Sequence, residues 1–207
     1  MNNPEVLFDA KVLEKGAKIV KKINREVAAI IGINPAARTT CVKPSGNASV
    51  LLQTASGIHA EHSPMYIRNI QMNKESEITQ SIIKSNPYMV EESVWSANGT
   101  DVVISYPIVP HKGSMYKDDL IGVKHLELVK KAQKHWVIAG TNEELCADEG
   151  IRHNVSNTII VDDWDEVEKY VFENRYSFSG ISFLSMSGDK DYNLSLIHIS
   201  EPTRLGF

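Results

Sequence analysis

The chain has 207 residues, 42% hydrophobic and 23% charged, which is the length of one ordinary domain or a piece of a larger one and the balance of a soluble globular chain. That composition excludes wholesale disorder and a collagen-like repeat, and no apolar run approaches the roughly 20 residues a membrane-spanning helix needs. Lys and Arg number 22 against 26 Asp and Glu, a formal net charge of −4; this is not the basic field of a nucleic-acid binder, so any phosphate must be held by a local device.

Met1-Asn2-Asn3-Pro4-Glu5 lacks the basic start and apolar centre of a secretory signal. Asn3-Pro4 reads as a helix start. Val6, Ala10, Leu13, Ala17, Val20, Val27 and Ile31 then recur as a stripe expected to be buried, with Lys11, Lys15, Lys18, Lys22 and Arg25 on the other side. Gly32 and Pro35 end this helix. Residues 38–42 are β-branched and predict a strand; Pro44-Ser45-Gly46 breaks it, and 47–53 can start a helix at once. A strand is expected over 65–72, then a helix begun near Asn73 with Ile78, Ile82 and Ile83 as its markers. Residues 102–106 predict a buried strand stopped by Pro107. Leu120, Val123, Leu126, Val129, Ala132 and Trp136 mark a second strong helix. A strand over 155–161, a capped helix over 163–174 and a last strand over 180–184 complete the chain. Strands separated by such helices imply parallel crossover units, hence an α/β layered or barrel fold. No repeat or linker interrupts 1–193, which reads as one domain.

Cys41 and Cys146 are too few for a disulfide framework and read as reduced cytosolic thiols, each expected to be a packing residue. Trp95, Trp136 and Trp164 sit amid apolar positions and are expected in the core. Asp162, Asp163, Asp165 and Glu166 read as capping of the helix they precede. His59 and His62 have a spacing that suits a metal, but no third ligand lies nearby and no metal site is assigned. Tyr66, Arg68 and Asn69 either line a nucleotide cleft or face solvent.

The strongest local feature is Lys43-Pro44-Ser45-Gly46-Asn47-Ala48-Ser49, between a predicted strand and a predicted helix. The first amides of a helix lack partners and converge on one spot with partial positive charge. Gly46 lets an anion approach the main chain, and Ser45, Asn47 and Ser49 add donors. No Walker pattern is present. On these residues alone, a phosphate nest and a helix cap without a ligand stay equally open.

The run 38–52, followed by Ala55-Ser56-Gly57-Ile58-His59, resembles the C-terminal half of adenosylcobalamin-dependent (class II) ribonucleotide reductases. Supporting matches are 153–158 and 176–184, and the likeness extends from about residue 10 to Asn193. It implies part of a ten-stranded α/β barrel, in which Pro44, Ser45, Gly46, Asn47, Ala48 and Ser49 contact the substrate's phosphates, mainly through main-chain N–H. Asn47 departs from the family's usual Thr. The resemblance further implies an enzyme that reduces ribonucleotides, more readily triphosphates, to deoxyribonucleotides, with adenosylcobalamin as cofactor and a thioredoxin-like reductant as partner, in the cytoplasm. The family's radical cysteine motif is absent: Asn34-Pro35 is followed by Ala36. No catalytic residue is therefore expected in this chain, and alone it should be inactive and poorly soluble.

Two rival readings remain. One is a non-catalytic nucleotide-binding module. The other is a fragment of a tyrosyl-radical reductase, against which Phe183-Leu184 stands, since it offers no phenol. Residues 194–207 continue no pattern, and 194–204 resemble a translated sequencing adapter, so the tail is expected to be foreign, the chain cut short, and Met1 an internal methionine.

Overall fold

The computed structural model describes residues 4–186 and 197–200. The chain opens with helices α1 (Pro4–Leu7), α2 (Ala10–Ile31) and α3 (Gly46–Leu52). β1 (Tyr66–Asn73), α4 (Glu77–Ser85), β2 (Val90–Glu92) and β3 (Asp101–Ile108) follow. Then come α5 (Gly122–Ala132), continued by π-helical turns over Gln133–Ile138, β4 (Ile159–Val161), α6 (Trp164–Glu173), β5 (Phe183–Ser185) and β6 (Ile197–Ser200). Contacts group into two compact units, Met1–Glu61 with His111–Gly188, and His62–Pro110 with Asp189–Phe207. No composition shift in the sequence marks that division.

In the first unit the core gathers Ile58, Leu120, Leu126, Val129, Val137, Val155, Ile159 and Val167. The single N-terminal helix expected from Asn3 is two, because Asp9 turns back to cap α2, its carboxylate accepting from the Val12 amide at 2.8 Å. The stripe expected to be buried is largely not. Only Ala17 is sealed, while Val6, Val27 and Ile31 are 63%, 46% and 60% exposed. α2 packs through polar contacts as well: Lys21 donates to the Thr141 carbonyl at 2.9 Å, and Arg25 reaches Asn142 and Glu144. Part of the face read as solvated thus fastens the helix to 141–144.

β4 and β5 pair in parallel across α6, Ile159 opposite Phe183, the crossover that the alternating pattern predicts. The strand expected over 155–161 is shorter because Asn157 turns its amide onto the carbonyls of Val155 (2.6 Å) and Gly180 (3.1 Å), taking acceptors a ladder would use. The strand expected over 38–42 makes only two bridges, Arg38 to Thr141 and Val42 to Val155.

The second unit holds a sheet in the order β2-β3-β1-β6 with every neighbouring pair antiparallel. This corrects the expectation of parallel strands from 65 to 106. β1 and β2 do run parallel around α4, but β3 turns back from β2 and inserts between them, a split crossover. β6 falls within the tail expected to be foreign and adds along β1, Ile70 opposite Ile197; the rest of that tail lies outside the described residues. The fold is mixed α/β, and no closed sheet forms among the described residues.

Candidate phosphate-binding corner

The approach to the corner is pinned residue by residue. The Thr39 amide and hydroxyl both donate to the Gly140 carbonyl, at 3.0 and 2.8 Å. Thr40 donates its hydroxyl to the Trp136 carbonyl at 2.6 Å, an acceptor it shares with the Gly140 amide at 3.0 Å. Thr40 sits so close to Gly140 that a side chain there would collide with it. The Trp136 indole N–H donates to the Cys41 carbonyl at 3.1 Å, His153 Nδ1 bonds the Thr40 carbonyl at 3.0 Å, and the Ser156 amide donates to the Val42 carbonyl at 3.0 Å. The Thr40 hydroxyl thus reaches the π-helical turns, and that of Thr39 the turn that follows them.

Beyond Val42 the chain turns outward. Lys43, Pro44, Ser45, Gly46 and Ala48 are exposed, and Ser45 takes a left-handed φ of 51°, a costly conformation for a residue with a side chain. The first amide bonded within the turn is that of Ser49, to the Ser45 carbonyl at 2.8 Å. The amides of Gly46, Asn47 and Ala48 stand ahead of it, with no α3 carbonyl four residues behind them. Ser49 is buried and donates its hydroxyl to the Gly46 carbonyl at 2.8 Å, so it braces the turn. Pro44 has no N–H to offer. The Asn47 side chain lies outside the described part of the structure.

The segment after α3 folds back beneath the corner. The Ser56 hydroxyl donates to the Pro44 carbonyl. Gly57, at φ 56°, lies where a Cβ would stand 2.8 Å from the Lys43 oxygen, so only glycine fits there. His59 and His125 stand edge to face at 5.7 Å. His125 is 3% exposed and its pKa is lowered to about 4, first by burial and then by the neighbouring His59, against a raising bond to the Ile58 carbonyl. Sequence periodicity gave no sign of Gly57 or of this histidine pair; only the resemblance drew notice to 55–59.

Other expectations need correction. Cys41 is exposed rather than packed, because its neighbours' side chains, not its own, face the helix. Cys146 is half-buried with its sulfur near the Asn142 and Ile151 carbonyls. Trp95 and Trp164 are 62% and 50% exposed; Trp136 alone of the three is partly enclosed. The capping expected of Asp163 is present, its carboxylate accepting from the Asp165 and Glu166 amides at 3.0 Å. In the second unit Tyr66 is buried, its hydroxyl bonded by Arg68 at 2.8 Å, while Asn69 accepts from Ser105; His62 packs edge-on against Tyr66. No group of three His, Cys, Asp or Glu suited to a metal occurs among the described residues, nor any helix long and apolar enough to cross a membrane.

The fold, as distinct from the corner's geometry, has a counterpart among solved proteins. The structure of a B12-dependent (class II) ribonucleotide reductase superposes on 94% of this chain with a TM-score of 0.70 at 18% identity, so the chain has the fold of part of that enzyme, 25% of its length. Among curated proteins, it is 30% identical over 121 residues to a probable adenosylcobalamin-dependent ribonucleoside-triphosphate reductase of Dictyostelium discoideum, covering 58% of this chain and 16% of that protein. It is 26% identical over 175 residues to the adenosylcobalamin-dependent ribonucleoside-triphosphate reductase of Euglena gracilis, covering 83% of this chain and 22% of the relative. The chain thus spans about a fifth of the length of the curated relatives it matches. No family model matches it.

Proposed function

We propose that this chain is part of an adenosylcobalamin-dependent ribonucleoside-triphosphate reductase and that its share of the work is to hold the substrate's phosphates at the corner Pro44–Ser49. The whole enzyme reduces ribonucleotides to 2′-deoxyribonucleotides by thiyl-radical chemistry and is recharged by a thioredoxin-like protein. The carrying observation is the turn at 44–48, whose leading amides have no helical partner, while the chain at 39–42 before it and at 56–59 after it is tied down. Such amides bind an anion without reorganising. Charged hydrogen bonds contribute about 1.5–3 kcal/mol each, so three or four suffice for a polyphosphate despite the acidic net charge. In this reading Ser45, Gly46, Asn47 and Ala48 donate, Pro44 fixes the turn, and Ser49 braces it.

The architecture proposed is a ten-stranded α/β barrel, to which β4, α6 and β5 contribute one crossover; the tail from 194 is foreign to it. The radical and redox cysteines are assigned outside this chain, since Cys41 is exposed and Cys146 rests on backbone carbonyls. The open hollows against α6 (Trp164, Val171, Phe172 and Phe183, with Glu168 and Arg175 beside them) and beside the corner (Phe8, Val42, Ile58, Trp136) are largely apolar. A corrinoid has a rim of amides that needs polar partners, so these hollows do not fit it and no residue here is assigned to the cofactor.

Calorimetric titration of the chain with a ribonucleoside triphosphate and with the bare nucleoside tests the reading. The triphosphate should bind, the nucleoside should bind at least about tenfold more weakly, and Ala48→Asp should abolish the difference. Equal binding of the two ligands contradicts it.

A further inference from the structure

The extended segment leading into β4 presents two amides on one edge, since N–H groups two residues apart in a strand point the same way. The first, of Ser156, donates to the Val42 carbonyl at 3.0 Å, just before the corner. The second, of Thr158, donates at 3.0 Å not to a carbonyl but to Nε2 of His59, just after α3. An amide can only donate, so Nε2 carries the lone pair and Nδ1 carries the proton. That proton points at the Ser56 carbonyl, 2.8 Å away. His59 is therefore held as one neutral tautomer, its ring standing where a neighbouring strand's carbonyl would otherwise be.

The consequences reach the corner through two residues. Ser56, gripped by His59 Nδ1, donates its hydroxyl to the Pro44 carbonyl, and Gly57 lies against Lys43 with no room for a Cβ. From below, His125 Nε2 donates to the Ile58 carbonyl at 3.0 Å. One edge of backbone, 156–158, thus fastens the chain on both sides of the turn at 43–49.

We propose that His59 is a positioning residue for the phosphate corner: its imidazole is the acceptor that locks Ser56–Gly57, and through them Lys43–Pro44, onto the edge leading into β4, so the amides of 45–48 are aimed before an oxyanion arrives. Preorganisation of this kind raises affinity by removing the cost of ordering the turn on binding. The role rests on the reading of the corner as a phosphate site.

The test uses the whole chain, inorganic tripolyphosphate as probe, and variants that separate the two ring nitrogens. A Gln amide reaches the position of Nε2 and an Asn amide that of Nδ1. His59→Gln should keep tripolyphosphate affinity within about twofold of wild type, while His59→Leu and His59→Asn should each weaken it about tenfold. Hydrogen exchange at the Thr158 amide should stay slow in wild type and His59→Gln and become fast in the other two. If wild type binds and all three variants bind alike, or if His59→Gln is as weak as His59→Leu, the positioning role is overturned and the phosphate reading stands. If the folded wild-type chain binds no tripolyphosphate, the phosphate reading itself falls and the role falls with it. Should His59→Leu fail to fold, the Gln–Asn pair carries the comparison.

Discussion

His125 shows how one buried side chain sets a condition on the whole first unit. It is enclosed, it donates to the Ile58 carbonyl, and it takes a proton only near pH 4 because charging it would require burying a cation beside another imidazole. The unfolded chain binds that proton near pH 6.5. Between those values the unfolded state holds more protons, so stability is full above pH 6.5 and declines as pH falls towards 4, by about 3 kcal/mol in all. His125→Gln keeps a donor to Ile58 and removes the titration, so urea unfolding at pH 7 and pH 5 should show a smaller loss in the variant than in wild type. An equal loss in both contradicts the assignment. The corner residues teach a related lesson. Ser49 looks like a donor in the sequence, yet its hydroxyl and amide both serve the turn itself. Residue type announces a capacity to donate, and only geometry shows where the proton goes.

At the scale of elements, what could be read from the sequence follows from how local its cause is. The Asp163 cap, the α5 stripe and the breaks at Gly32 and 44–46 depend on residues within one turn, and the structure has them. Asp163→Ala should therefore cost about 1 kcal/mol of unfolding free energy, measured by thermal or urea melting; a change below about 0.3 kcal/mol would mean that its two amide bonds do not hold α6. Pairing partners are not local. β2 has three residues and no period to notice, yet it decides that β3 enters antiparallel to β1. Residues 38–42 carry the β-branched signature of a strand, but the carbonyls of 136–140 compete for their hydroxyls and win. The corner was legible because a Pro-Ser-Gly turn before a helix is a local signal. The clamp beneath it was not, because His59 and Thr158 lie 99 residues apart.

The molecule as a whole leaves much apolar surface bare. Ile19, Ile23 and Ile30 join Val27 in an apolar row along α2, exposed by 52%, 50%, 82% and 46%, and Phe172, Phe183 and Leu184 are likewise exposed near α6. Isolated apolar stripes of this size promote association. The chain should self-associate in sedimentation experiments. The double substitution Ile23→Lys with Ile30→Lys should reduce that association while changing stability by no more than about 0.5 kcal/mol; undiminished association would place the sticky surface elsewhere. These bare faces belong to a chain whose fold matches one quarter of a larger enzyme, and the task proposed for its corner is to grip a polyphosphate. Amide-resolved NMR during titration with a ribonucleoside triphosphate examines that task most directly. The account predicts that the largest shifts fall on the amides of Ser45, Gly46, Asn47 and Ala48 and saturate together. Shifts confined to the lysines of α2, with the corner amides unmoved, would contradict it.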